Sequence, residues 1–463
     1  MVTTGVTSTA HWAGDQGATG RGAMGFFERD RMHTRRAGNG PHPELTGLVS
    51  RICGVAVASA VALVLGAAVP RVAMADPTPA PSAAPTAAWT VMVYMDGDQD
   101  LKPADLDLEP WVTHDIDKEM AAVGSDDDVQ VVALADRGRF PNGVDGSWTG
   151  ARIFHVTRGM TATADNAVAD WGDTDMGSPQ TLVDFIEWAR AAYPAEHYAL
   201  FLWDHGWGWW PGNTMEDATS NDYLDMDELR DALETVHGVD MVGGDTCLSQ
   251  TIEVQAQLRG FASAMGGSQD ATGYTGFSYQ NILSALEATP TISAAGLAIA
   301  AARSMRTGHD RWTMAASAVS LGAHWDALTA AVSDLGWDLA VGLRRYRAAY
   351  VAARRHAAMP PQTYPEDRDL HDVAAQLRAR VASPTIKADC TRVLKAERKV
   401  VLWQWHVKAE GAVHGIDIFW PATPAPPRRG SSFEQWVDLD YYCTQLNFTR
   451  LTYWGDFLNA WGK

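Results

Sequence analysis

Short apolar runs rich in branched residues recur from Trp89 onward, each closing on Gly or a charged residue: WTVMVYM, VQVVALAD, RIFHV, YALFLWD and VDMVGGD. They read as strands. Between them, SPQTLVDFIEWARAAY (178–193) and DMDELRDALETV (225–236) set apolar residues at i, i+3, i+4 and i+7 behind acidic or polar starts, which predicts helices with one buried stripe.

The alternation continues through FASAMGGS (261–268), helical patterns over 281–303, the strand-like WTMAASAVSL (312–321) and a long Ala- and Arg-rich helical stretch over 324–356. Strands alternating with helices predict an α/β fold with a mostly parallel sheet flanked by helices. Beyond about residue 357 helical patterns mix with strand-like VVLWQWHV and HGIDIFWP. Residues 89–356 are therefore expected to form the main domain and 357–463 a C-terminal α+β subdomain.

Composition adds a cellular setting. Arg29, Arg31, Arg35, Arg36 and Arg51 precede an uncharged apolar stretch over 52–69, and Ala73 and Ala75 stand at the spacing a signal peptidase reads. Residues 1–75 are expected to be a signal peptide with a long basic lead, and the Pro- and Ala-rich 76–88 an extended linker. An uncleaved anchor is the alternative, because the apolar stretch approaches spanning length; its many Ala and Gly residues favour cleavage and secretion.

Removing seven Arg and four acidic residues with the signal from totals of 37 and 56 leaves 30 basic and 52 acidic residues, a net charge of −22. Such a surface repels nucleic acid and anionic lipid, so neither is expected as a partner, and no stable membrane association is expected after cleavage. The cysteines are Cys53, Cys247, Cys390 and Cys443, with no C-x-x-C spacing. An oxidising compartment allows a Cys390–Cys443 bridge with Cys247 as the odd thiol; three buried, reduced thiols are the alternative.

Two strand ends carry the candidate chemistry. YALFLWDHGWGWWPG (198–212) and VDMVGGDTC (239–247) each leave an apolar strand through a Gly-containing polar turn, and one helix-length connection joins them. A strand, a crossover helix and a second strand form a right-handed unit with parallel strands, so His205 and Cys247 should emerge together at the carboxyl edge of the sheet. A thiolate there can attack an acyl carbon, and an imidazole can protonate the leaving amine. The start of a helix after Thr246 would favour thiolate, and the backbone amides of Gly206 and Cys247 could hold an oxyanion. A buried packing cysteine and a structural histidine are the plainer alternative.

The ordered set WTVMVYMDGDQDL, LFLWDHGWGW, GGDTCLSQTIEV, YQNILSAL, RDLHDVAAQL and HGIDIFWP resembles the clostripain family, secreted cysteine endopeptidases with a caspase-like fold. The resemblance implies that His205 and Cys247 form a catalytic dyad acting on peptide or protein substrates. It also implies that Asp245 lines a pocket for Arg or Lys, which suits a carboxylate beside the nucleophile. An N-cap for a helix near Cys247 is the other role open to Asp245. Where the family places a second acidic pocket residue this chain has Thr275, in GYTGFSY (273–279), with Asp270 nearby as a substitute.

Remaining signals are weaker. DGDQDLKPADLD (96–107) lacks the Gly and Glu of a calcium-binding loop, so no cofactor is expected, although carboxylates there or at Asp126, Asp127 and Asp128 leave calcium possible. Trp207, Trp209 and Trp210 follow His205 directly and are expected to wall a substrate cleft. The resemblance also implies maturation by internal cleavage, for which RGRF (137–140) is a candidate site. Two rival functions remain: a catalytically silent exported protein that binds peptide or glycan, and a thiol amidase or acyl transferase using the same dyad.

Overall fold

The strand β1 (Ala87–Asp96) is apolar almost from end to end because both its faces are covered. In this computed structural model the described residues are 86–98, 108–138, 148–210, 214–307, 313–360, 363, 365–407, 413–422 and 439–462. The expected export segment and nearly all of the linker lie outside them. The described residues all belong to one compact unit.

After β1 come β2 (Val129–Asp136), β3 (Ala151–His155), β4 (Ala169–Gly172) and β5 (Ala195–Trp203). A short hairpin follows, β6 (Thr214–Asp217) with β7 (Asp222–Leu224), and then β8 (Met241–Asp245), β9 (Ala264–Gly267) and β10 (Ala315–Ser320). The last strands are β11 (Asp367–Asp369), β12 (Val401–His406) and β13 (Asp417–Phe419). Nine of them form one sheet in the order β12-β10-β9-β8-β5-β1-β2-β3-β4.

Its centre, β9-β8-β5-β1-β2, is parallel, and both flanks are antiparallel. The stretch after residue 357 supplies β12 to this sheet and a separate two-stranded ladder, β11-β13.

Side-chain alternation along the central strands sorts the core. Trp89, Val91, Val93, Val131, Phe201 and Trp203 pack on one face with Val112, Ile116, Ile282 and Leu297 from the covering helices. The other face carries Thr90 and Tyr94, whose hydroxyls donate to the carbonyls of Tyr193 and Met176 beside the helix Pro179–Ala192. The crossover helix Met226–Thr235 starts where the sequence placed it, because Asp225 and Glu228 form a reciprocal capping box.

Cys390 and Cys443 are both free thiols. Cys390 is fully buried on the helix Pro384–Val400, and Cys443 Sγ donates to the Gly455 carbonyl at 3.7 Å, so the bridge allowed by an oxidising compartment is not formed. Arg137, in the candidate cleavage sequence, is also buried: its guanidinium pairs with Glu109 at 2.7 Å and lies over the Trp148 ring. Such a side chain cannot enter a protease cleft without unfolding its surroundings; Arg139 and Phe140 lie outside the described residues.

Candidate active site

β5 and β8 are immediate neighbours, parallel, with Trp203 paired to Asp245 at their carboxyl ends. His205 and Cys247 each stand two residues further on, at matching positions past the sheet edge. The Asp204 amide still bonds to the Asp245 carbonyl at 3.4 Å, which keeps the two chains together as they leave the sheet.

Gly206 brings the turns into contact. A Cβ on it would lie 2.6 Å from Thr246 Cβ and 2.7 Å from the Cys247 carbonyl oxygen, closer than side-chain atoms approach, so only glycine lets the His205 turn seat on the Cys247 turn. His205 is itself held at both ends of its backbone, its N–H on Asp204 Oδ1 at 2.5 Å and its carbonyl receiving Thr214 Oγ1 at 3.0 Å. Among the described residues no other element separates the two strand ends.

The thiol environment differs from the expected one. The helix after the turn begins only at Ile252, and Thr251 caps it by accepting the Val254 N–H, so neither does a helix start favour a thiolate at Cys247 nor does Asp245 act as an N-cap. Residues 247–251 instead make an irregular turn. Leu248 takes a φ of 57°, a left-handed conformation that disfavours a branched side chain and is sustained by its surroundings. Its N–H bonds to Asp270 O, the Gln250 N–H to Ser268 O, and the Gln250 carbonyl accepts the Asp417 N–H at 3.0 Å. The pair Gly243 and Gly244 earlier in the run leaves room for this return: a Cβ on Gly244 would meet Ser249 Cβ at 2.6 Å.

Cys247 is half-buried, and its Sγ accepts the Thr272 N–H at 3.2 Å. Burial pushes its pKa up, the charges of Asp270 and Asp204 add to the rise, and hydrogen bonds from Thr272 oppose it.

Asp245 is only 5% exposed, and its carboxylate accepts the Phe277 N–H and the Tyr279 hydroxyl, both at 2.9 Å. Burial, then the charge of Asp115, raises its pKa to about 8. Asp115 stands in a π-helical turn, Asp115–Met120, accepts Trp203 Nε1 at 2.7 Å and is raised by burial to about 6. Among the described residues no Lys or Arg pairs with either carboxylate.

Thr275 lies in the same turn as Gly276, whose α-carbon sits so close to Asp245 that a Cβ there would overlap its Oδ1. The Thr275 hydroxyl is buried with no hydrogen-bond partner among the described residues, and the Tyr274 ring before it stacks on Trp111 at 6.0 Å. Asp270 Oδ1 accepts the Ala271 N–H in its own loop, and the Asp270 charge acts on Asp417 and Cys247. Trp207 is half-buried beside the His205 turn. Trp209 and Trp210 leave it, stacking on one another at 4.7 Å and meeting Phe419 edge-on in the core, so they do not wall a cleft.

Of the carboxylates weighed for calcium, Asp126 accepts the amides of Asp128 and Val129 in a turn, and Asp96 is fully buried. Residues 99–107 lie outside the described ones, and among the described residues no group of three or more His, Cys, Asp or Glu side chains is arranged to hold a metal. Nor is any described helix long and apolar enough to cross a membrane.

The family model for the clostripain family matches residues 93–461. The chain belongs to the clostripain family. Clostripain of Hathewaya histolytica is 26% identical to it over 230 residues, 43% of this chain and 42% of that protein, so the aligned part spans less than half of the curated relative. A secreted cysteine protease of Bacteroides thetaiotaomicron, solved with an irreversible peptide inhibitor, superposes with a TM-score of 0.58 at 16% identity, covering 79% of this chain and 99% of its own. An inactive zymogen protease of Parabacteroides distasonis gives a TM-score of 0.57 at 18% identity, covering 80% and 99%. At these identities the likeness is one of fold, and it agrees with the caspase-like α/β architecture. For this clostripain-family chain the residues that sequence reasoning missed are Asp115, Thr272, Phe277 and Tyr279. Tyr279 begins the run YQNILSAL, but nothing in that pattern ties its hydroxyl to Asp245.

Proposed function

We propose that the chain is a secreted cysteine endopeptidase of the clostripain type. Cys247 Sγ bonds to the carbonyl carbon of the scissile peptide, and His205 takes the thiol proton and passes it to the departing amine as the C–N bond breaks. The N–H groups of Gly206 and Cys247 stabilise the oxyanion, and water then hydrolyses the thioester. What chiefly supports this reading is the close seating of the Gly206 turn on Cys247 at the ends of paired strands.

Cleavage follows Arg or Lys in this reading. Asp245, a buried carboxylate with Asp115 beside it and no Lys or Arg partner among the described residues, receives the basic side chain, with Trp207 and Thr275 lining the approach. Secretion is supported by the basic-then-apolar N-terminal sequence and by the secreted protease among its structural likenesses.

The test is a panel of fluorogenic peptide amides ending in Arg, Lys, Asn or Asp, given to the mature protein with and without iodoacetamide and to Cys247→Ala. Thiol-dependent release after basic residues is the expected result. Release from none of them, with peptide still bound, would replace the peptidase by a silent binder; thiol-dependent release of simple amides alone would make it an amidase.

A further inference from the structure

Cys247 stands in surroundings that oppose its ionisation, with burial first and the carboxylates of Asp270 and Asp204 after it. Against the sulfur is Thr272. Its N–H lies 3.2 Å from Sγ, its hydroxyl oxygen 3.6 Å and its carbonyl oxygen 3.8 Å. These groups suit both protonation states: an S–H can donate to the carbonyl, whereas a thiolate can accept from the N–H and the hydroxyl together.

The loop that carries Thr272 is fixed from several sides. It leaves β9 at Gly267, and the Ser268 hydroxyl donates to the Ala315 carbonyl at 2.7 Å and accepts the Asp270 N–H at 3.0 Å. The Gln269 amide group donates to Asp417 at 2.8 Å and accepts the Gly415 N–H at 2.6 Å, and the Gly273 N–H reaches Thr313 Oγ1 at 3.1 Å. The Leu248 N–H bonds to the Asp270 carbonyl, so nucleophile turn and loop are joined one residue past the sulfur. A donor held this firmly needs no reorganisation when charge appears on Sγ.

We propose that Thr272 is the positioning residue of the nucleophile: its backbone N–H and hydroxyl hold Cys247 Sγ and stabilise it as thiolate. The catalytic consequence rests on the peptidase reading; the thiol chemistry does not.

The test follows alkylation of Cys247 by iodoacetamide from pH 5 to 10 in the full chain, read by mass spectrometry of the Cys247 peptide, in wild type, Thr272→Val and Thr272→Ser. Val keeps the shape and the N–H but removes the hydroxyl. The expected result is a higher alkylation midpoint in Val, with a rate about three- to tenfold lower at neutral pH, and return towards wild type in Ser. In peptide hydrolysis the Val variant loses kcat by a similar factor at unchanged KM. An unchanged midpoint in Val, a Ser variant as slow as Val, or a loss uniform at all pH values would overturn the proposal. Should Val not fold, Thr272→Ala carries the same comparison. A midpoint that shifts in a protein hydrolysing no peptide would leave the positioning role standing and remove the peptidase.

Discussion

Asp245→Asn, measured against pH, separates a specificity carboxylate from a structural one. Burial and the neighbouring Asp115 raise the Asp245 pKa to about 8. A cationic side chain needs it ionised, and a carboxyl of that pKa is charged in about one molecule in eleven at pH 7 and about one in a hundred at pH 6. The value of kcat/KM reports ionisations of the free enzyme, including that of Cys247. Comparing a peptide ending in Arg with its citrulline counterpart, a neutral group of the same shape, cancels everything common to both. The Arg-to-citrulline ratio should rise about tenfold per pH unit between 6 and 8 and level off above. In Asp245→Asn the ratio should be flat, and at pH 9 about a hundredfold below wild type, as expected when one partner of a buried charge pair is removed. A wild-type ratio independent of pH, or an Asn variant that keeps the preference for Arg, would refute the reasoning.

Asp115→Asn removes the charge that helps to raise Asp245, so the midpoint of the same ratio should move to lower pH while citrulline hydrolysis stays near wild type. Gly206→Ala forces a Cβ to within 2.7 Å of the Cys247 carbonyl; the two turns must part, and kcat/KM should fall at least about tenfold for every peptide. Asp136, raised to about 9 chiefly by burial, is protonated in the native state and ionised in the unfolded chain between about pH 4 and 9. The native state therefore binds the extra proton over that window, and its stability declines as pH rises through it. Asp136→Asn should raise the melting temperature at pH 8 and change it little at pH 4, as calorimetry at the two pH values would show.

The central strands were legible because burial on both faces leaves an apolar run and the sheet edge interrupts it with Gly and polar residues. The positions of His205 and Cys247 followed from those interruptions. Strand direction at the flanks was not legible: β10 carries the same kind of apolar pattern as the central strands but runs antiparallel to β9, and β12 pairs antiparallel to β10. The hairpin β6-β7 was hidden by its length, with strands of four and three residues and a polar sequence. The helix expected near Cys247 begins at Ile252 because the intervening amides are taken by carbonyls of the Ser268–Asp270 loop and Leu248 is turned left-handed, neither of which periodicity records. Asp115 was missed because DIDKEM reads as solvated charge, although Asp115 is 1% exposed. The tryptophans after His205 were misread because nearness in sequence does not fix side-chain direction.

The bond from Asp417 to the Gln250 carbonyl bears on how such a chain is made. It is joined by the Phe419 N–H and the Tyr442 hydroxyl, both on Glu253 Oε1, so residues late in the sequence secure the turn and helix that follow Cys247. A ribosome that has delivered Cys247 has not yet delivered the parts that shape its surroundings. Under the proposed function, competence therefore arrives late in synthesis, once residues 417–442 have joined the fold.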